Sequence, residues 1–172
     1  MKINGMRPQD IPVLLQLHLM KGSNWLYADI AALLQISPSE VSESLKRSKV
    51  AGLLDNSKRN IMPAALWEFL VYGIKYVWPA VLGKKQRGIP TAHSAKPLSD
   101  IIVSNEDVYV WANAKGNHRG ESIQPLYPTI PDVVENNPQL YELLALIDAL
   151  RIGKAREVQI ARDELNKRLL KQ

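Results

Sequence analysis

The stretch that decides the fold spans residues 27–60 and reads YADIAALLQISPSEVSESLKRSKVAGLLDNSKRN. With Leu26, its first part predicts a short helix ending at Leu34, because Ile30, Leu33 and Leu34 share one helical face. The two alanines between Ile30 and Leu33 are small enough to let another helix approach closely. We therefore expect a short helix that packs against a helical neighbour.

A second helix of this stretch, the third helix of the chain, is predicted over residues 38–51. Ser37 is a favoured N-cap residue, Pro38 suits the first helical position, and Glu40 stands where a capping box is completed. Gln35 occupies the tight turn between the two helices, where glycine is frequent because it adopts a positive φ easily. Gly52 is expected to end the helix as a C-cap.

Helical spacing gives this third helix an inner and an outer face. Val41, Leu45 and Val50 are expected to point inward. Ser39, Ser42, Glu43 and Lys46 are expected on the opposite, solvent-facing side.

A small hairpin is predicted directly after the third helix. Two short apolar pairs, residues 53–54 and 61–62, bracket the polar segment DNSKRN at residues 55–60. Such a segment is rich in turn-forming residues, so the two apolar pairs can lie antiparallel.

Residues 30–45 resemble the helix-turn-helix of bacterial repressors, and residues 46–54 with the basic hairpin look like the helix-to-wing passage of MarR and ArsR winged-helix regulators. The resemblance covers about residues 10–75. It implies that the third helix enters the major groove of DNA, while the wing reaches the backbone or the adjacent minor groove. The candidate DNA contacts are Ser37, Ser39, Ser42, Glu43, Lys46, Arg47, Lys49, Asn56, Ser57, Lys58 and Arg59.

Two other interpretations of these residues stay open. Winged helices also occur as protein-binding and architectural modules. Lys58 and Arg59 are also compatible with an exposed turn that is charged only to stay soluble.

Three segments are expected along the chain, in a mainly α fold with small β content (α+β). A helix over residues 8–21 and another over 64–74 complete a winged helix-turn-helix domain at 1–75. Residues 76–137 hold most of the prolines and predict an irregular region with a short hairpin, in which a strand at 107–112 pairs with 122–126. Residues 138–172 predict two helices with apolar stripes, used for dimerisation or for binding a partner.

Composition limits the classes of function. The net charge is +5, there is no cysteine, and no run approaches the ~18 apolar residues of a membrane span. His18, His93 and His118 lack metal-ligand spacing, and no catalytic constellation is recognisable. We expect a cytoplasmic protein that is no enzyme and holds no metal or cofactor.

The basic cluster GKKQRG at residues 83–88 contains Lys84, Lys85 and Arg87. It matches neither the P-loop nor the dinucleotide pattern. Either a second contact to the DNA backbone or an exposed loop accounts for it.

A further resemblance rests on residues 88–95, 120–128 and 146–156. These segments look like an uncharacterised group of bacterial regulators, some encoded beside nucleotidyltransferase toxins of abortive-infection type. Together the patterns predict a homodimeric repressor of transcription that binds double-stranded DNA. The alternative is an antitoxin-like or adaptor protein that binds a toxin-like partner through its C-terminal half.

Overall fold

The computed structural model describes residues 5–103 and 107–171, where the chain is mainly helical with one small β-sheet, as the sequence predicts. No helix in these two ranges is both long and apolar enough to span a bilayer. The helices are α1 (Asp10–Leu19), α2 (Tyr27–Leu34), α3 (Pro38–Val50), α4 (Pro63–Tyr72), α5 (Ile74–Val77), α6 (Leu98–Ile101), α7 (Ile130–Val133), α8 (Pro138–Ile152) and α9 (Ala155–Leu170). The strands are β1 (Leu82–Pro90), β2 (Tyr109–Ala112) and β3 (His118–Ile123), and 3-10 turns lie at Ala92–Ser94 and Val134–Asn136.

Helices α2 and α3 form where the sequence predicts them, and the turn between them has the expected conformation. Gln35 adopts φ 52°, in the left-handed region that glycine often fills. The Ser37 hydroxyl oxygen accepts from the amide of Glu40 at 3.1 Å and so caps α3. The capping box is not completed in the predicted way, because the Glu40 carboxylate accepts from Arg47 and Gln9 instead.

The end of α3 is a Schellman motif centred on Gly52. Gly52 has φ 75°, its amide donates to the carbonyl of Lys49, and the Leu53 amide donates to the carbonyl of Ser48. The prediction that Val50 points inward is wrong, since Val50 is 75% exposed. It is the last residue of α3.

The predicted hairpin is present in its smallest form. Leu54 and Ile61 form one antiparallel bridge, and the Met62 amide donates to the Leu53 carbonyl at 2.8 Å. Both bridge residues are buried, so the base of the hairpin is anchored in the core and the polar tip at residues 55–60 projects from it.

The middle of the chain differs from its prediction. Strand β2 does not form a hairpin with the chain after it; it pairs antiparallel with β1 and parallel with β3. Strand β1 also pairs antiparallel with β3, so the three strands close into a miniature barrel. The segment containing the basic cluster is therefore a strand. Its two glycines and four polar residues leave no alternation of apolar and polar residues, which is the pattern that predicts a strand.

Glycines permit this closure because the three backbones approach too closely for side chains. A Cβ on Gly88 would lie 2.1 Å from the carbonyl oxygen of Trp111, and a Cβ on Gly120 would lie 2.1 Å from that of Val108. Contacts below 3.0 Å essentially never occur for real Cβ atoms. The barrel thus depends on glycine at both positions.

One hydrophobic core runs through all three predicted segments. It contains Ile11 of α1, Leu66 of α4, Trp111 of β2 and Leu146 of α8. Helix α8 packs against α1, α4, α5 and α9, and every residue from 143 to 150 is buried. The apolar stripe that predicted dimerisation through α8 is thus covered by the chain itself.

A buried carboxylate ties the barrel to α8. Asp148 accepts hydrogen bonds from the Thr91 hydroxyl at 2.8 Å, the Trp111 indole at 2.7 Å and the Arg151 guanidinium at 2.7 Å. Burial raises the pKa of Asp148, and the neighbouring Arg151 charge opposes that shift. The barrel is therefore held to the helical core by polar contacts as well as by apolar packing.

Candidate nucleic-acid interface

The outer face of α3 is a continuous stripe along the helix. Ser39, Glu43 and Lys46 are exposed, Ser42 is half-buried, and the spacing of three to four residues places them on one side. The Glu43 carboxylate accepts from the Lys46 ammonium at 2.6 Å. Ser37 is also exposed, but its hydroxyl oxygen already accepts the capping hydrogen bond.

Arg47 does not belong to this stripe, which corrects its place among the candidate DNA contacts. Its side chain is 6% exposed and points toward α1, where its Nη2 lies 2.7 Å from Oδ1 of Asp10. The Nε atom donates to the same carboxylate, and Nη2 also donates to Glu40 at 2.8 Å. The guanidinium is buried and paired with two carboxylates, so it holds α3 on α1 and does not face outward with the stripe.

The tip of the hairpin is organised around Asp55. Its carboxylate accepts from the side chains of Asn60 and Ser57 and from the amide of Arg59. These hydrogen bonds lower the pKa of Asp55 to about 2, and the one from the Asn60 side chain has the largest effect. Lys58 sits inside this loop with φ 60°. The tip is consequently a defined structure rather than a loose turn.

Three further candidate contacts, Lys49, Asn56 and Ser57, take part in the same structure. The Lys49 ammonium donates to the carbonyl of Asn56 at 3.2 Å, which links the end of α3 to the tip. Ser57 uses its hydroxyl to donate to Asp55, while the side chain of Asn56 is exposed.

Arg59 fastens the hairpin to the loop before α2. Its guanidinium carbon lies 3.8 Å from the centre of the Trp25 ring, and Nη2 donates to the Trp25 carbonyl at 2.9 Å. Such a cation–π contact lets the residue stay exposed while its orientation is fixed. Arg59 therefore contributes charge at a set position on this surface.

The tip and the last turn of α3 are neighbours, because the Lys49–Asn56 hydrogen bond joins them. The pKa of Glu43 in the stripe is lowered mainly by the hydrogen bond from Lys46, and the charges of Arg47 and Lys58 lower it further.

The basic cluster lies elsewhere, on β1. Lys84, Lys85 and Arg87 are all exposed, and the Lys85 ammonium is 2.8 Å from the carboxylate of Asp107. The structure thus gives two separate basic surfaces, one at the helix and wing and one at the barrel.

Sequence reasoning did not identify Asp10, Trp25 and Asp55, which shape the first surface. Asp55 carries a local signal, since Asp followed by Ser two residues later is typical of a side-chain-capped turn. Asp10 and Trp25 have no such local signal, because their partners Arg47 and Arg59 lie 37 and 34 residues away in the chain.

Within residues 5–103 and 107–171, the three histidines have no set of partners arranged as a metal site. His18 and His93 are buried, His118 is exposed, and in the part of the chain that the structure describes no group of three His, Cys, Asp or Glu residues is arranged to hold a metal ion.

Comparisons with protein-family models, with curated proteins and with solved structures find no match to this chain. What the chain does is therefore inferred from the geometry of its surfaces.

Proposed function

We propose that this protein is a sequence-specific DNA-binding regulator of transcription, with the outer face of α3 as its reading surface. The observation that carries the proposal is the α3 stripe, in which Ser39, Glu43 and Lys46 are exposed and Ser42 is half-buried, beside a hydrogen-bonded, basic hairpin tip. A helix of this kind fits the major groove, which is wide enough to admit one.

The side chains of the stripe suit base edges. Serine hydroxyls both donate and accept hydrogen bonds, and lysine donates to the acceptors of guanine. Glu43 is compatible with this surface if it accepts from the amino group of a cytosine, because a carboxylate near phosphates is otherwise unfavourable. Ser42 and Lys46 are accordingly the residues that we expect to select sequence.

Lys58 has a different role in the proposal. It lies at the tip of the hairpin beyond the stripe, where a wing meets the backbone or the adjacent minor groove. Contacts to phosphate position a protein on DNA without reading its sequence. The regulator is proposed to act as a homodimer on a pseudo-palindromic site, with the two α3 helices about 34 Å apart.

The test is a selection of binding sites from random duplexes, followed by affinity measurements on the selected site and on unrelated DNA. Ser42→Ala or Lys46→Ala is expected to change the preferred sequence, because it removes a base contact. Lys58→Asn is expected to weaken binding to all duplexes similarly, since asparagine tolerates the left-handed backbone at this position and carries no charge.

Matched controls are Ser99→Ala and Lys171→Ala, which remove an exposed hydroxyl and an exposed charge elsewhere on the chain. Sedimentation of the protein with and without the selected duplex measures how many copies bind. A protein that selects no sequence, or whose α3 variants all select the wild-type sequence, contradicts the proposal. Co-purification with a stoichiometric partner protein in place of DNA favours the adaptor alternative.

A further inference from the structure

The exposed part of β1 and its partner β3 form a two-stranded arm with an unusual charge arrangement. We call residues 82–87 with residues 119–123 the basic ribbon. All residues from 82 to 87 are exposed, because this half of β1 pairs with β3 on one edge while β2 pairs only with residues 88–90.

The register of the ribbon places two arginines directly opposite each other. Arg87 pairs with Arg119, and one step along the same face Lys85 pairs with Glu121. Side chains in such cross-strand positions have Cβ atoms about 4.5–5.5 Å apart, and like charges there are destabilising. The free protein therefore maintains a repulsive pair at its surface.

Opposite charges neutralise the Lys85–Glu121 pair but not the Arg87–Arg119 pair. The Lys85 ammonium is paired with Asp107 and also faces Glu121. Neither guanidinium of the arginine pair has an ion pair or a hydrogen bond to a side chain within residues 5–103 and 107–171. An anion placed between Arg87 and Arg119 would remove the repulsion and accept hydrogen bonds from both.

We propose that the basic ribbon binds the phosphate backbone of duplex DNA, as a second contact that does not read sequence. This inference rests on the proposed function and extends it. Guanidinium groups bind phosphate through two parallel hydrogen bonds, so a pair of them is well suited to one phosphate or to two neighbouring ones.

The composition of the ribbon favours a duplex over a single strand. Proteins that bind unpaired strands without sequence preference present aromatic side chains on which bases stack. The two strand segments, LGKKQR and RGESI, contain no phenylalanine, tyrosine or tryptophan. Trp111 of the neighbouring strand is buried and donates to Asp148, so it is not available for stacking.

One segment connects the ribbon to the end of α2. The Thr129 hydroxyl donates to the carbonyl of Leu34, at the end of α2 and just before α3. Pro128 and Pro131 of the same segment line a groove together with Leu82 and Gln86 of the ribbon. Residues 128–131 therefore lie between the ribbon and the turn that precedes α3.

The experiment measures binding of the full chain to a random 30-base-pair duplex by fluorescence anisotropy, between 50 and 200 mM salt. The variant is Arg87→Ala/Arg119→Ala. Each phosphate contact contributes about 0.9 to the slope of log affinity against log salt, so losing two lowers the slope by about 1.8. Over this fourfold range of salt, the wild-type affinity is then expected to fall about 12-fold further than that of the variant.

The matched control is Arg156→Ala/Lys171→Ala, which removes the same net charge from exposed positions at the two ends of α9 and is expected to keep the wild-type slope. A second variant, Arg119→Glu, replaces the repulsive pair by an attractive one. It is expected to raise the urea midpoint of the free protein while weakening DNA binding, an outcome that misfolding cannot produce.

The results separate the two proposals. If the wild type binds the duplex and Lys58→Asn weakens it, but Arg87→Ala/Arg119→Ala keeps the wild-type slope, the ribbon is not a DNA contact and the proposed function stands. If the wild type binds no duplex at 50 mM salt, both proposals fail. If a polyglutamate chain, and not DNA, distinguishes the ribbon variant from the control, the surface recognises an acidic protein and the inference is overturned.

Discussion

Replacing Asp10 by alanine is expected to destabilise the protein by about 3 kcal/mol, although Asp10 lies outside the surface proposed to bind DNA. Asp10 is fully buried and accepts from Nε and Nη2 of Arg47, which is itself 6% exposed. Removing one partner of a buried ion pair costs about 3–5 kcal/mol, because the remaining charge loses its compensation. Glu40 still accepts from Nη2, so we expect the lower end of that range.

For a chain of this length, such a loss lowers the melting temperature by roughly 6–12 °C, at about 2–4 °C per kcal/mol. Thermal and urea unfolding at neutral pH measure it. The control is Lys46→Ala on the same helix, which breaks the exposed ion pair with Glu43 and is expected to leave the midpoint almost unchanged, since water screens that pair.

A second comparison tests the physical reason. Asp10→Leu/Arg47→Met replaces the whole pair by apolar side chains and is expected to be more stable than Asp10→Ala, because no unpaired charge is left behind. It is also expected to bind DNA as the wild type does, since Arg47 faces α1. The reasoning is refuted if Asp10→Ala loses less than about 1 kcal/mol, or if the double variant is the less stable of the two.

Two further predictions concern the hairpin tip and the barrel. The pKa of Asp55 in the folded chain, about 2, lies below its ordinary value of 3.8, so the stability that it contributes is complete above pH 4 and is lost as the pH falls through 2. Amide resonances of the tip followed by NMR from pH 5 to pH 1.5 should report this titration, and Asp55→Asn should abolish it; a midpoint near pH 4 contradicts the hydrogen-bonded tip. Gly88→Ala is expected to prevent closure of the barrel and to lower stability severely, because the added Cβ meets the Trp111 backbone, whereas at Gly83 the nearest atom is the Ser122 hydroxyl, which can rotate away. Circular dichroism melts of Gly88→Ala and Gly83→Ala make the comparison, and equal melting temperatures would show that the close approach is not limiting.

The helical part of the fold follows from local signals in the sequence. Ser37 and Gly52 act as caps through contacts within a few residues, so the bounds of α3 are predictable from neighbours in the chain. The break at Gly153 between α8 and α9 is local in the same way.

The barrel and the role of Arg47 follow from long-range contacts instead. Strand β1 pairs with residues of β2 and β3 that are at least 20 positions away in the chain, and no period in its own sequence indicates this pairing. Arg47 has the position of an exposed basic residue next to Lys46, but the partner that draws it inward is 37 residues distant. A single sequence contains the two residues without indicating that they meet.

The open edge of β1 has a consequence for the behaviour of the protein in solution. Along residues 82–86 the described chain has no second strand on the side away from β3, so backbone amides and carbonyls there are free to pair with another molecule. Lysine and arginine on an edge strand oppose such pairing, because two copies brought together would place like charges side by side. The cations of this strand are therefore expected to keep the protein from aggregating edge to edge, and variants that remove them all together should be handled at low concentration.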